Sequence, residues 1–226
     1  MDRPFDPPTS RRLLVINPNT NTAVTERVRQ ATRAWALPGT ALEVVNPRQG
    51  PFAIETPQDR AAAVPHVLNL IGGATGPYDG YILACFDDIA IAEARQALTV
   101  PVISMAEAGI RAAAARYAAF DVITTVEAAV PTIAGLIEAY GMADRCTVRS
   151  TGIGVSETAA MTERAEAALS AAVAASRASG SSAVVLGSGA YAGRRQQLSA
   201  AFAMPFIDGL EAALRYCETE AFTKRL

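Results

Sequence analysis

The sequence predicts an α/β protein of two pseudo-symmetric lobes, each a parallel sheet flanked by helices, with the active site in the cleft between them. Three observations predict it. Short apolar runs alternate with helix-period segments along the chain, which is the signature of βαβ units and a parallel sheet. The run Gly80-Tyr81-Ile82-Leu83-Ala84-Cys85 returns in the second half as Ala183-Val184-Val185-Leu186-Gly187-Ser188. The length, 226 residues, suffices for one large α/β domain or two small lobes with a substantial core.

Each element has its own reason. Met1 to Arg12 holds Pro and Arg without an apolar core, and reads as a loose lead-in rather than a signal peptide. Arg12 to Ile16 is a buried strand. Asn17 to Thr22 is a turn rich in capping side chains. A helix follows, with Val24, Val28, Ala31 and Trp35 on one face. Ala41 to Val45 is the second strand, Pro47 to Pro57 a Gly/Pro loop, and Gln58 to Ile71 a helix ended by Gly72 to Pro77. Tyr78 to Ala84 is a strand, Asp88 to Leu98 a helix with Asp87 and Asp88 as its caps, and Val100 to Ser104 a strand.

The second half repeats the plan. Glu107 to Tyr117 is helical, and Ala119 to Ile123 is a strand ending in Thr124-Thr125. Val130 to Tyr140 is helical, Thr147 to Thr151 a short strand, and Glu157 to Ser179 one long Ala-rich helix. Ala183 to Leu186 is a strand, Gly193 to Ala200 a helix, Pro205 to Asp208 a closing strand and Leu210 to Phe222 the last helix. The expected lobes are residues 1–106 with 205–226, and residues 107–204.

Composition excludes several classes. The net charge is −2 and the basic residues are scattered, so nothing resembles a nucleic-acid footprint. No apolar run approaches the roughly 18–20 residues of a membrane helix. Cys85, Cys146 and Cys217 are far apart, with no CxxC or Cys/His cluster, which argues against zinc. Free thiols without an export signal fit a reducing cytoplasm.

Chemistry concentrates at strand ends, where open α/β sheets bind ligands. Cys85 stands where a strand opens toward a helix, and backbone N–H groups there would favour a thiolate. Ser188, between Gly187 and Gly189, occupies the matching place in the other half. Asn17, Asn19 and Thr20 form the turn after the first strand, and Thr124 and Thr125 its counterpart. These groups are helix caps on one reading and binders of a carbonyl or carboxylate on the other. His66, the single histidine, sits off the apolar face of its helix and reads as structural, which weakens a Ser–His–Asp triad. Gly152-Ile153-Gly154 is too short for a dinucleotide fingerprint. Cys146 and Cys217 read as packing residues.

Taken together, Ile16-Asn17-Pro18-Asn19-Thr20, Gly50-Pro51-Phe52-Ala53-Ile54-Glu55, Ala84-Cys85-Phe86-Asp87, Val100-Pro101-Val102-Ile103, Val122-Ile123-Thr124-Thr125 and Pro205-Phe206-Ile207-Asp208-Gly209 resemble the aspartate/glutamate/hydantoin racemase superfamily, and within it the hydantoin and allantoin racemases. The resemblance spans nearly the whole chain. It implies two lobes around one site, no cofactor or metal, a small-molecule substrate and a homo-oligomer. It also implies two cysteines, one per lobe, on either side of an acidic carbon. Cys85 is then the first acid/base group, and Asn17, Ile54, Phe86, Thr124 and Thr125 line the pocket.

This chain departs from that pattern at Ser188, where the family usually has cysteine. A hydroxyl holds its proton far more tightly than a thiol and is a poor resting base. Three explanations stay open: an engineered replacement, a natural divergence to one-cysteine decarboxylase or isomerase chemistry, or a non-catalytic binder of small molecules.

Overall fold

The computed structural model describes residues 11–223. The lead-in over residues 1–10 lies outside them, and Arg11 and Arg12 already belong to the first strand. In the first half, β1 (Arg11–Ile16), β2 (Thr40–Val45), β3 (Gly80–Leu83) and β4 (Val102–Ser104) alternate with α1 (Thr22–Trp35), α2 (Pro57–Gly72), α3 (Ile91–Ala97) and α4 (Met105–Ala114). The second half comprises β5 (Phe120–Thr124), α5 (Val130–Ala139), β6 (Cys146–Ser150), α6 (Val155–Ala159), α7 (Glu163–Ala178), β7 (Val184–Leu186), α8 (Arg195–Phe202), β8 (Phe206–Asp208) and α9 (Gly209–Thr223).

The strands form two parallel four-stranded sheets, ordered β2-β1-β3-β4 and β6-β5-β7-β8. The same order appears twice, and the register matches as well. Ile16 pairs with Leu83 in one sheet and Ile123 with Leu186 in the other. One expectation is corrected here: Phe206–Asp208, assigned to the first lobe, pairs with β7 in the second sheet. The helix that follows it, α9, packs instead against α4, α1 and β3. A short strand of this kind carries no sequence mark of which sheet edge it joins.

Alternation along the strands sorts the core. Leu13, Val15, Ile82, Phe120, Val122 and Val185 share one continuous apolar layer with Val28 of α1, Ile110 of α4 and Leu210 and Leu214 of α9. Their sequence neighbours face outward: Leu14, Ile16 and Leu83 pack beneath α2 and α3, and Ile123, Val184 and Leu186 beneath α7 and α8. Residues two apart point to one face of a strand, so each sheet is buried on both sides. Cys217 packs against Gly80 of β3, where any side chain would meet its Sγ at 3.2 Å. Both Cys217 and Cys146 are buried.

Helices α4 and α9 leave the ends of β4 and β8 and touch almost backbone to backbone. A Cβ at Gly209 would sit 2.0 Å from the Met105 carbonyl oxygen, and one at Gly109 would sit 3.0 Å from the Gly209 Cα. Two predicted helices begin or break differently. The segment expected as one helix over 157–179 is two, α6 and α7. Met161 between them adopts the left-handed conformation (φ 53°), and Thr162 caps α7 by accepting from the Ala165 N–H. Helix α3 starts at Ile91 rather than Asp88, because Ala90 is left-handed (φ 58°).

Candidate active site

The two sheets deliver their strand ends to one cavity. The Ala84 N–H donates to the Ile16 carbonyl at 2.8 Å, and the Gly187 N–H donates to the Ile123 carbonyl at 2.8 Å. Cys85 and Ser188 are therefore the next residue after the same ladder bond in each lobe. Both line the cavity, together with Asn19, Ile54, Phe86, Thr124, Thr125, Gly187 and Gly189. Glycine is required at 187, where a Cβ would lie 2.7 Å from Val122 Cγ1 and 2.8 Å from the Ile123 carbonyl oxygen. A Cβ at Gly189 would approach the Ala84 carbonyl oxygen of the other lobe at 3.2 Å.

Two expected pocket residues stand elsewhere. Asn17 is fully buried behind the wall, and its Nδ2 is committed to Asn19 Oδ1 (2.9 Å), Thr25 Oγ1 (3.0 Å) and the Asn21 carbonyl (3.3 Å). An amide spent on its own turn has nothing left for a ligand. Thr20 ties the turn to the following loop, donating from N–H and hydroxyl to the Pro51 carbonyl. Asn19 is the member of this turn that reaches the cavity. Its Oδ1 accepts from Asn17 and the Asn21 N–H, so the amide is oriented with its Nδ2 uncommitted.

Cys85 is half-buried. Burial raises its thiol pKa most, the Asp87 carboxylate raises it further, and the Arg60 guanidinium acts in the opposite direction. The expected thiolate-favouring helix start is absent at this position, since α3 begins at Ile91 and has no side-chain cap. Asp87 and Asp88 are not its caps either. Asp87 accepts from Arg60 Nε at 2.8 Å and from the Asp88 N–H at 2.7 Å. Asp88 is held by the Ser104 and Tyr140 hydroxyls. Burial and the Asp87 carboxylate thus favour the neutral thiol over the thiolate.

Ser188 is buried, and its Oγ accepts from the Ala190 N–H at 3.2 Å, capping the 3-10 turn Gly189–Tyr191. One lone pair is thus occupied while the hydroxyl proton remains available. Thr124 donates its hydroxyl to the Gly187 carbonyl at 3.0 Å and fixes the start of this turn.

Several lining residues carry weak or no sequence signals. Glu55, Thr56, Arg60, Asp87, Thr132 and Val155 complete the wall. Thr56 and Asp59 form a capping box at the start of α2, a spacing readable in the sequence. Glu55 reaches across the cleft, its Oε1 accepting the Val155 N–H at 2.8 Å. Arg60 is invisible to local pattern, because its partner Asp87 lies on another element. His66 is outside the cavity and packs over Gly50, where a Cβ would meet its ring at 2.9 Å. Among the described residues, no group of three or more His, Cys, Asp and Glu side chains could hold a metal ion, and no helix is long and apolar enough to cross a membrane. A wider groove near α4 and α9 is lined by ion pairs, including Arg111–Glu107 and Arg195–Glu211, and holds no thiol.

Comparison with known proteins finds relatives over nearly the whole chain. Residues 13–217 match the family described as Asp/Glu/Hydantoin racemase. The hydantoin racemase of Paenarthrobacter aurescens is 32% identical over 215 residues, covering 92% of this chain and 90% of that protein. The allantoin racemase of Klebsiella pneumoniae is 34% identical, with a TM-score of 0.91, over 95% of this chain and 89% of that one. The allantoin racemase of Pseudomonas fluorescens is 29% identical, with a TM-score of 0.89, over 94% and 92% of the two chains.

Proposed function

This chain belongs to the Asp/Glu/hydantoin racemase family, and from that premise we propose that it is a cofactor-independent, cytoplasmic racemase of hydantoins or related cyclic ureides, with Cys85 as one acid/base group. The relatives named above are isomerases by their names. The observation that carries the reading is the equivalence of Cys85 and Ser188 at one cavity, each following the same ladder bond in its lobe.

The chemistry follows from the groups present. Removing the proton on the carbon beside a hydantoin carbonyl sends negative charge onto the carbonyl oxygen. A base on one face, an acid on the other and donors to that oxygen are required. Cys85 supplies a thiol that gives a proton at rest and takes one after ionising. Asn19 Nδ2 and the Thr125 hydroxyl, both on residues that line the cavity, would be the donors to that oxygen. Ser188, whose Oγ accepts the Ala190 N–H, gives its proton to the far face and is reprotonated by water, and as a neutral hydroxyl it is too weak a base to start the reverse reaction. Turnover is accordingly one-sided: exchange at the Cys85 face outruns inversion.

A single enantiomer of a 5-substituted hydantoin, and of allantoin, in deuterated water tests this by chiral separation and mass, against a protein-free control. The wild type incorporates deuterium faster than it inverts, and Ser188→Cys brings inversion up toward exchange. If neither protein yields exchange or inversion on any such substrate, the racemase reading fails. One observation favours a second reading: of the three cysteines, Cys85 alone lines the cavity. One thiol suffices to protonate the enediolate left by decarboxylation of a malonate-like acid. Carbon dioxide release from an arylmalonate, without hydantoin exchange, would select it.

A further inference from the structure

We propose that a small monovalent anion of the halide class, such as chloride, bridges the lobes between Arg27 of α1 and Arg194 at the start of α8. Three buried polar atoms in this region make no hydrogen bond among the described residues: Arg27 Nε, Arg194 Nε and Thr158 Oγ1. Arg194 and Thr158 are 4% and 2% exposed.

The three belong to one patch. Arg27 donates its Nη2 to the Ala159 carbonyl, which places its guanidinium beside Thr158. Helix α1, helix α6 and the turn Gly189–Tyr191 pack on one another. Arg194 continues from that turn and donates Nη1 and Nη2 to Glu166 at 2.8 and 2.6 Å. The charge of Arg194 is felt at Arg27 and, with burial, lowers its proton affinity. Tyr191 belongs to the same patch, with Thr158, Arg194 and Glu166 all acting on its hydroxyl.

Charge decides what the orphan donors want. Two guanidiniums and one carboxylate leave an excess positive charge, with Arg194 buried and Arg27 half-buried. Leaving such a donor unpaired is costly, and so is an uncompensated charge. A cation is excluded by sign. A carboxylate or phosphate would be taken through paired N–H groups of one guanidinium, whereas Arg194 has both Nη groups on Glu166 and only its Nε–H left. A small spherical ion asks for no such pair. Water would satisfy the donors but not the charge. Because Arg27 belongs to one lobe and Arg194 to the other, the ion would replace a repulsion across the cleft with an attraction. It would also steady the turn that Ser188 caps.

Crystals of the full chain grown in sodium bromide, measured at the bromine edge, test the site directly. The expected result is an anomalous peak within hydrogen-bonding reach of both Nε atoms. A water without anomalous signal there, or bromide confined to exposed surface, overturns the proposal. Thermal unfolding in sodium chloride against sodium gluconate at equal ionic strength gives the solution counterpart. The wild type is expected to melt several degrees higher in chloride, and Arg27→Met and the charge-keeping Arg27→Lys to lose that difference. Equal melting of the wild type in both salts means binding at crystal concentration only, and also overturns it.

Discussion

The turn after β3 and the turn after β7 occupy the same place in two matching sheets, yet they are built from different materials. The first is crowded with charge: Asp87, Asp88 and Arg60 surround Cys85, and ion pairs and hydroxyls hold them. The second is nearly free of charge at the cavity, and glycines and backbone bonds set it around Ser188. Topology places a reactive atom at each strand end. The local turn then decides whether neighbouring charges or the backbone govern its proton. One side of the cleft is electrostatically adjustable, and the other is sterically fixed.

The largest effect should come from removing the adjustable atom. Cys85→Ala is expected to lower hydantoin exchange by about 10²–10⁴-fold, the usual worth of a general acid/base, with the fold intact by circular dichroism. Equal exchange in the variant would mean that the two turns do not differ in the way described.

Asp208 sharpens the other side. It lies at the end of β8, and its carboxylate accepts from the Gly193 N–H (2.9 Å) and the Leu210 N–H (3.0 Å), holding the loop beyond Ser188. Burial pushes its pKa up to about 6, against opposing backbone bonds. A raised acid binds its proton better when folded. Its contribution to stability is therefore present below its ordinary value and lost as pH rises through about 6. In Asp208→Asn this loss disappears. Urea unfolding should show the variant gaining on the wild type as pH rises through that interval, by on the order of 3 kcal/mol in all. A pH-independent difference would refute the assignment.

Steric control predicts that Gly187→Ala destabilises by about 1–3 kcal/mol, because the Ile123 backbone cannot move aside for the new methyl. Chemical unfolding reads this. A neutral result would place the second turn among the adjustable ones. The smallest effect is on the first turn. Asp87→Asn removes the larger of the two carboxylate charges that, with burial, raise the Cys85 pKa and leaves Arg60 opposed by Asp88 alone, so the alkaline rise of the pH–rate profile should move about one unit toward acid. A shift toward base would reverse the roles given to Asp87 and Arg60.

Much of this was legible in the residues because local rules carried it. Short apolar runs between helix-period segments marked the strands, and the return of a strand ending in Cys85 as one ending in Ser188 marked the repeat. Where tertiary contacts decide, the sequence is silent. Nothing local says that β8 would join β7, that Asn17 would spend its amide on its own turn, or that Arg60 would meet Asp87. The Ala-rich stretch reads as one helix because propensity cannot foresee a left-handed Met161. The helix start expected beside Cys85 is absent for a related reason: the backbone delays α3 by a loop whose carboxylates stay beside the thiol.

The bare contact of Gly109 and Gly209 with their neighbours has a consequence for how the molecule can move and change. Helices that meet with no side chain between them act as a fulcrum. A relative motion of the two halves that keeps this contact would pivot about it. The same fulcrum limits what the chain can become. A methyl at Gly209 would run into the Met105 carbonyl, and one at Gly109 into Gly209 and Val185, so either would force apart the helices that leave β4 and β8.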